Sequence, residues 1–212
     1  MKTLLSNGGL EFKTIDKYNC NSDEIMLFNS AIETINTWGN PHVMENLNLN
    51  GLSKLGSVLR SEAFASDKDL YFVFDQQQLV ATTLILPSIE LLYAEDLEAY
   101  AFSKKQKHRN NTRNSYMTIQ KAKNLLENDE FNSCYIHYLV VNPEMQGRGY
   151  GTEVIKTLQN DIDFFDHSLT HNALMAMISR TNHPFIGLVT KHGFGECPNP
   201  TDAEFNMFYK EL

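Results

Sequence analysis

The order of elements along this chain predicts an α/β fold of the α+β kind, formed as one domain over residues 1–212. Three observations predict it. Short apolar runs bounded by turn formers recur along the chain and read as strands. Segments with apolar residues at helical spacing separate them. At 139–158 an apolar strand, a glycine-rich turn and an amphipathic helix follow one another without a break.

Residues 10–15 alternate as a short strand. Ser22 then caps a helix with Asp23 and Glu24 in its first turn and Ile25, Phe28, Ile32 and Ile35 as its apolar stripe. A second helix over 52–64 sets Leu52, Leu55, Val58 and Leu59 at helical spacing. Trp38, in the link between the two helices, reads as a packing anchor. Strands at 70–74 and 79–86 flank Asp75-Gln-Gln-Gln, a hairpin turn. Further on, 133–141 reads as a strand, 149–164 as a helix, 173–178 as a strand, and 183–192 as a helix closed by Gly193. Gly195 and residues 205–209 complete a final antiparallel pair. Between the third and fourth strands lies an inserted segment, 87–132. Leu91, Leu92, Ala94, Leu97 and Ala101 predict one helix there, and Ile119, Ala122, Leu125 and Leu126 another. The basic tract 103–113 between them reads as a solvated face or as a polyanion site; Glu127, Asp129 and Glu130 offset it.

The net charge of −8 sets the molecule as a whole against nucleic acid and favours a cationic partner. No apolar run approaches the length of a membrane span, and the first residues lack the apolar core of a signal peptide. Cys20, Cys134 and Cys197 are widely spaced and form no Cys-x-x-Cys. They predict a reducing cytoplasmic setting with neither a disulfide framework nor a zinc site. His167 and His171 would share a helix face, but only Asp163 or Asp166 could complete a metal site, and no metal is expected.

The chemistry concentrates at 146–152. Gly147, Gly149 and Gly151 stand at alternate positions before and within the first turn of the helix, with Arg148 among them and no acidic residue. Glycines let an anion approach backbone N–H groups and let the chain take positive φ, and a helix N-terminus supplies unsatisfied donors. A P-loop is excluded because no Lys-Ser or Lys-Thr follows. A dinucleotide fingerprint is excluded because its third glycine would fall at Thr152. Gln146-x-x-Gly149-x-Gly151, after a strand ending Leu-Val-Val-Asn-Pro, resembles the Gln/Arg-x-x-Gly-x-Gly/Ala motif of the GNAT superfamily of acyl-CoA N-acyltransferases. The motif resemblance covers about 135–194, and the order of elements agrees over the rest.

That resemblance implies a GNAT fold: a mixed, mostly antiparallel sheet of about six to seven strands flanked by helices. It implies acetyl-CoA as co-substrate, its pantetheine arm paired with the backbone at Leu139, Val140 and Val141, where one amide also polarises the thioester carbonyl. The pyrophosphate would lie on the N–H groups of Gly147, Arg148, Gly149, Tyr150, Gly151 and Thr152, with Arg148 adding a cation and Gln146, the first residue of the motif, in the same coenzyme site. Asn182 stands where the family has a residue contacting the same arm, and equally where a helix cap is needed. Period-2 alternation puts Tyr135, His137, Leu139 and Val141 on one strand face and Ile136, Tyr138 and Val140 on the other. Tyr135 and His137 occupy the two positions where the family carries the base that takes the amine proton. An imidazole, with an ordinary pKa of about 6.5, suits that work; a satisfied core histidine is the other reading. For the general acid the family pattern Tyr-x-x-x-Gly-Phe becomes Val189-Thr-Lys-His-Gly193-Phe194, and valine donates no proton. Thr190 is adjacent but points about 100° away around the helix; His192, Ser179 and Tyr138 are the substitutes at hand, and unassisted departure of the thiolate or protonation by water is the other route.

The expectation is an N-acetyltransferase moving acetyl from acetyl-CoA to a primary amine, on a small molecule or peptide, by direct attack in a ternary complex. Its alternative is a non-catalytic acyl-CoA-binding regulator, kept open by Val189. The 87–132 insertion is expected to serve acceptor specificity or a subunit contact, which leaves a homodimer open.

Overall fold

The computed structural model describes residues 2–7, 9–16, 19–38, 55–65, 69–86, 133–160, 173–198 and 204–212. The expected helices and basic tract of 87–132, the His167/His171 pair and Leu52 lie outside them. Contacts divide the chain into two units, Met1–Pro87 with Ile136–Phe165 and Ser88–Tyr135 with Asp166–Leu212.

In the first unit the strands run in the order β1 (Lys2–Asn7), β2 (Leu10–Thr14), β3 (Asp69–Asp75), β4 (Gln78–Leu86) and, from Ile136 on, β5 (Ser133–Val141). The first three pairings are antiparallel. Between β4 and β5, Asn142 N donates to Val80 O (2.9 Å) and Thr83 Oγ1 to Tyr138 O (2.8 Å), so residue numbers again run in opposite senses. The sequence pattern does not reveal β1. Lys-Thr-Leu-Leu-Ser-Asn has neither alternation nor length, and pairing with β2 makes it a strand. Gly9, at φ 93, serves the tight reversal from Asn7 to its partner Leu10.

Two helices pack with this sheet: α1 (Ser22–Ile35) and α2 (Leu55–Ala65). Asn21, and not Ser22, caps α1. Its Oδ1 accepts from Glu24 N (2.9 Å) while Glu24 Oε2 accepts from Asn21 N (3.0 Å), a reciprocal box that leaves Ser22 as the first helical residue. The Asn21 N–H also holds the Glu24 carboxyl below its ordinary range. Phe28, Ile32 and Ile35 are buried as expected, but Ile25 is 42% exposed; the core contact of α1 begins at Phe28. Phe28 meets Phe72 edge-on at 5.3 Å, and Trp38, Leu55, Leu59, Leu84 and Val140 close the same cluster. Trp38 is thus the packing anchor expected of it.

The α1–α2 contact turns on Gly56. A Cβ there would run into the Ile32 carbonyl oxygen and lie 2.9 Å from Asn36 Oδ1, which is already accepting from Ser57 N. A backbone oxygen cannot move aside cheaply. Gly56→Ala is therefore expected to cost about 1–3 kcal/mol, read as a fall in the urea midpoint. An unchanged midpoint would show that the helices separate freely.

In the second unit β8 (Phe205–Glu211) lies between β6 (Ala173–Ser179) and β7 (Gly195–Pro198), antiparallel to both. The remaining helices are α3 (Tyr150–Asn160), in the first unit, and α4 (His183–Lys191), in the second. Gly193, at φ 84, ends α4, and Lys210 Nζ donates to the terminal carbonyl of His192 at 2.9 Å. No helix among the described residues is long and apolar enough to cross a membrane.

Candidate functional site: the turn from β5 into α3

β5 spans the residues predicted for it. Tyr138 and Val140 point to the helical core: Val140 is fully buried there, and Tyr138 packs against the same cluster. Leu139 and Val141 are half-buried. Strict alternation fails at one place. The rings of His137 and Tyr138 lie 4.3 Å apart, centroid to centroid, at 63°. Neighbouring side chains on an ideal strand point to opposite faces, so one of the two leans back toward the other. His137 remains half-exposed on this strand.

Past Val141 the chain turns in a short 3₁₀ segment, Pro143–Met145. Asn142 starts it by accepting from Glu144 N at 3.1 Å, Pro143 sets φ, and buried Met145 anchors it. Met145 N donates to Asn142 O at 2.8 Å, and Gln146 leaves the segment extended at φ −60, ψ 152. Gly147 and Gly149 then take φ 76 and φ 92, with no atom within 4 Å of where a Cβ would stand on either. Both therefore leave their backbone open to a ligand. α3 opens with Glu153 N donating to Gly149 O at 3.0 Å. The first-turn N–H groups of Tyr150, Gly151 and Thr152 have no helical carbonyl to bond.

The electrostatics favour an anion. Arg148 is exposed within the turn. The acid of the first turn, Glu153, is paired with Lys156 at 2.8 Å on the surface. The helix N-terminus adds its partial positive charge. Tyr150 Oη donates to Asp75 Oδ2 at 2.7 Å, and this bond, ahead of burial, raises the phenol pKa, with Arg148 acting in the opposite sense.

In the other unit, Tyr135 is 7% exposed. Burial pushes its phenol up to about 12, and the backbone N–H of Met177 pulls it partly back. Asn182 caps α4, accepting from Phe185 N at 3.3 Å. Val189 is fully buried, and the Ser179 and Thr181 hydroxyls share a 2.9 Å hydrogen bond. Thr190 is exposed on the surface of α4. The structure thus brings Val141 and residues 146–152 together in one turn, with His137 and Leu139 along the same strand. No group of metal-ligating side chains occurs among the described residues. The residue that sequence reasoning misses is Asp75. Its local pattern places it only in a hairpin turn, and its meeting with Tyr150 depends on the register of β3 with β4.

A mostly antiparallel sheet with flanking helices, and a glycine turn between strand and helix with donors suited to an anion, define the class as an α+β protein with a candidate ligand site. The chain belongs to the acetyltransferase (GNAT) family, whose model matches residues 62–194, more than half its length and the whole turn. Solved structures share the fold. An acetyltransferase from Thermus thermophilus matches at 12% identity and TM-score 0.51, covering 100% of both chains. A GNAT acetyltransferase from Listeria monocytogenes matches at 11% identity and TM-score 0.51, covering 98% of this chain and 99% of that one. The spermidine N-acetyltransferase from Vibrio cholerae, in complex with CoA and spermine, matches at 14% identity and TM-score 0.50, covering 97% and 96%. No curated protein matches the sequence.

Proposed function

We propose that this protein transfers the acetyl group of acetyl-CoA to a primary amine by direct attack in a ternary complex. One observation carries the proposal: the turn at 146–152, where two glycines at positive φ, an exposed arginine and a helix N-terminus converge with no free acid. Acetyl-CoA, the co-substrate of the family, supplies an activated thioester. The residues present fit its diphosphate: N–H groups of Gly147–Thr152 receive the oxygens and Arg148 adds a cation. Gln146 precedes the first of these donors. The backbone of Leu139, Val140 and Val141 pairs with the amide-bearing arm, and one of those N–H groups polarises the thioester carbonyl. Val140 contributes backbone alone, since its side chain is committed to the core.

His137 takes the proton from the attacking amine. It stands four residues before Val141, about 13 Å along an extended strand, which leaves room for the arm between the reacting carbon and the diphosphate. Tyr135 is a poor alternative, because a phenol pushed up to about 12 does not accept a proton near neutral pH. As the C–S bond breaks, the thiolate takes its proton from water or from Tyr138, whose ring lies beside His137. The net charge of −8 favours a cationic amine on a small molecule or peptide. Cysteine used as an isolated thiol, as at Cys20, suits a reducing cytoplasm.

A second reading has a specific observation behind it. Val189 is fully buried where the family pattern has a tyrosine, so an acyl-CoA-binding regulator without turnover is the alternative. Release of CoA, followed with a thiol reagent over polyamines, amino acids, aminoglycosides and peptide N-termini, separates the two. Amine-dependent release supports the enzyme. Tight acetyl-CoA binding with no release on any acceptor would favour the regulator.

A further inference from the structure

Tyr150 enters the coenzyme reading only through its backbone N–H, yet its side chain makes a long-range bond from this turn. The phenol reaches 75 residues back to Asp75, half-buried, at 2.7 Å. Asp75 is a fixed point. It pairs with Leu10 on one side and with Gln78 on the other, across a hairpin whose Gln76 and Gln77 sit at φ 46 and φ 75. Two successive non-glycine residues in the left-handed region are strained, and the paired strands hold them there. The glycine turn is the opposite case. Gly147 and Gly149 make it soft, and a soft loop must be ordered before it can present its donors to an anion.

Asp75 would also work against an anion site if its carboxylate were unoccupied. It would repel a diphosphate and compete for Arg148, whose charge already acts on the Tyr150 hydroxyl. We propose that Tyr150 and Asp75 are a positioning pair for the coenzyme: their hydrogen bond clamps the 146–152 turn to the β3–β4 hairpin and occupies the carboxylate, leaving Arg148 for the diphosphate. The inference rests on the coenzyme reading of that turn.

Calorimetric titration of the full chain with CoA tests it. Tyr150→Phe removes the donor and is expected to weaken CoA about 5- to 20-fold, with faster amide exchange over 146–152 in the coenzyme-free protein. Asp75→Asn keeps an acceptor and removes the charge, so it should bind CoA at least as tightly as the wild type. Native exchange protection in β3 and β4 shows that each variant is folded. Wild-type affinity in Tyr150→Phe, or an equal loss in Asp75→Asn, would overturn the pair while leaving the coenzyme reading intact. A wild-type protein that takes up no CoA would overturn both.

Discussion

Replacing His137 with alanine is expected to lower kcat/KM for acetyl transfer by about 10²- to 10⁴-fold near neutral pH, the usual contribution of a positioned general base. The physical reason is that only a neutral amine attacks a thioester, and its nitrogen must shed a proton as the new bond forms. His137 is half-exposed on the strand that leads into the coenzyme turn, and Tyr135, the other residue at a base position, is buried with its phenol pushed up to about 12. The pH–rate profile should change shape in His137→Ala, which loses the group that accepts the proton, while CoA affinity stays near wild type. His137→Ala with an unchanged pH profile would remove the base assignment without touching the coenzyme site.

The second large effect belongs to Gly149. At φ 92 it occupies backbone space that L side chains rarely adopt, and a β-branched residue there is a genuine outlier. Nothing lies within 4 Å of its Cβ position, so Gly149→Val introduces backbone strain and no clash. Strain of this kind costs about 1–3 kcal/mol. At 1.4 kcal/mol per tenfold, full transfer of that cost to binding weakens CoA by about 5- to 150-fold. The turn relieves the strain by rotating away from positive φ, which swings its N–H groups off the anion. Gly187, inside α4 with open space around it and no positive φ, is the control. Gly187→Ala should leave CoA affinity unchanged and raise stability slightly, since alanine is the better helix former. Equal losses in both variants would mean that the turn conformation is not what binding requires.

Much of this site was legible in the sequence because its signals are local. The β5 strand, the glycine turn and the helix after it are contiguous, and each is specified by its own residues: apolar runs, Pro143, the glycines, and the stripe of Val154, Ile155 and Leu158 that the fold buries. The hairpin at Asp75–Gln78 was legible in the same way, although Gln-Gln is a poor composition for its left-handed turn. What escaped was set by tertiary contact. β1 is a strand because β2 pairs with it. The cap of α1 fell to Asn21 because Glu24 completes a box with it, a choice one residue wide. Ile25 fits the helical stripe but lies beyond the core that Phe28 begins. The lean of His137 and Tyr138 toward each other breaks an alternation that sequence periodicity assumes. The Asp75–Tyr150 bond joins residues far apart in the chain, and no periodicity encodes such a meeting.

Hydrogen exchange of the full chain, with and without CoA, reads the N–H groups of the turn themselves. Saturating CoA is expected to slow exchange at Gly147–Thr152, the donors proposed for the diphosphate, and along Leu139–Val141, the backbone proposed for the pantetheine arm. CoA bound with protection elsewhere and none at Gly147–Thr152 would contradict the coenzyme reading of the turn.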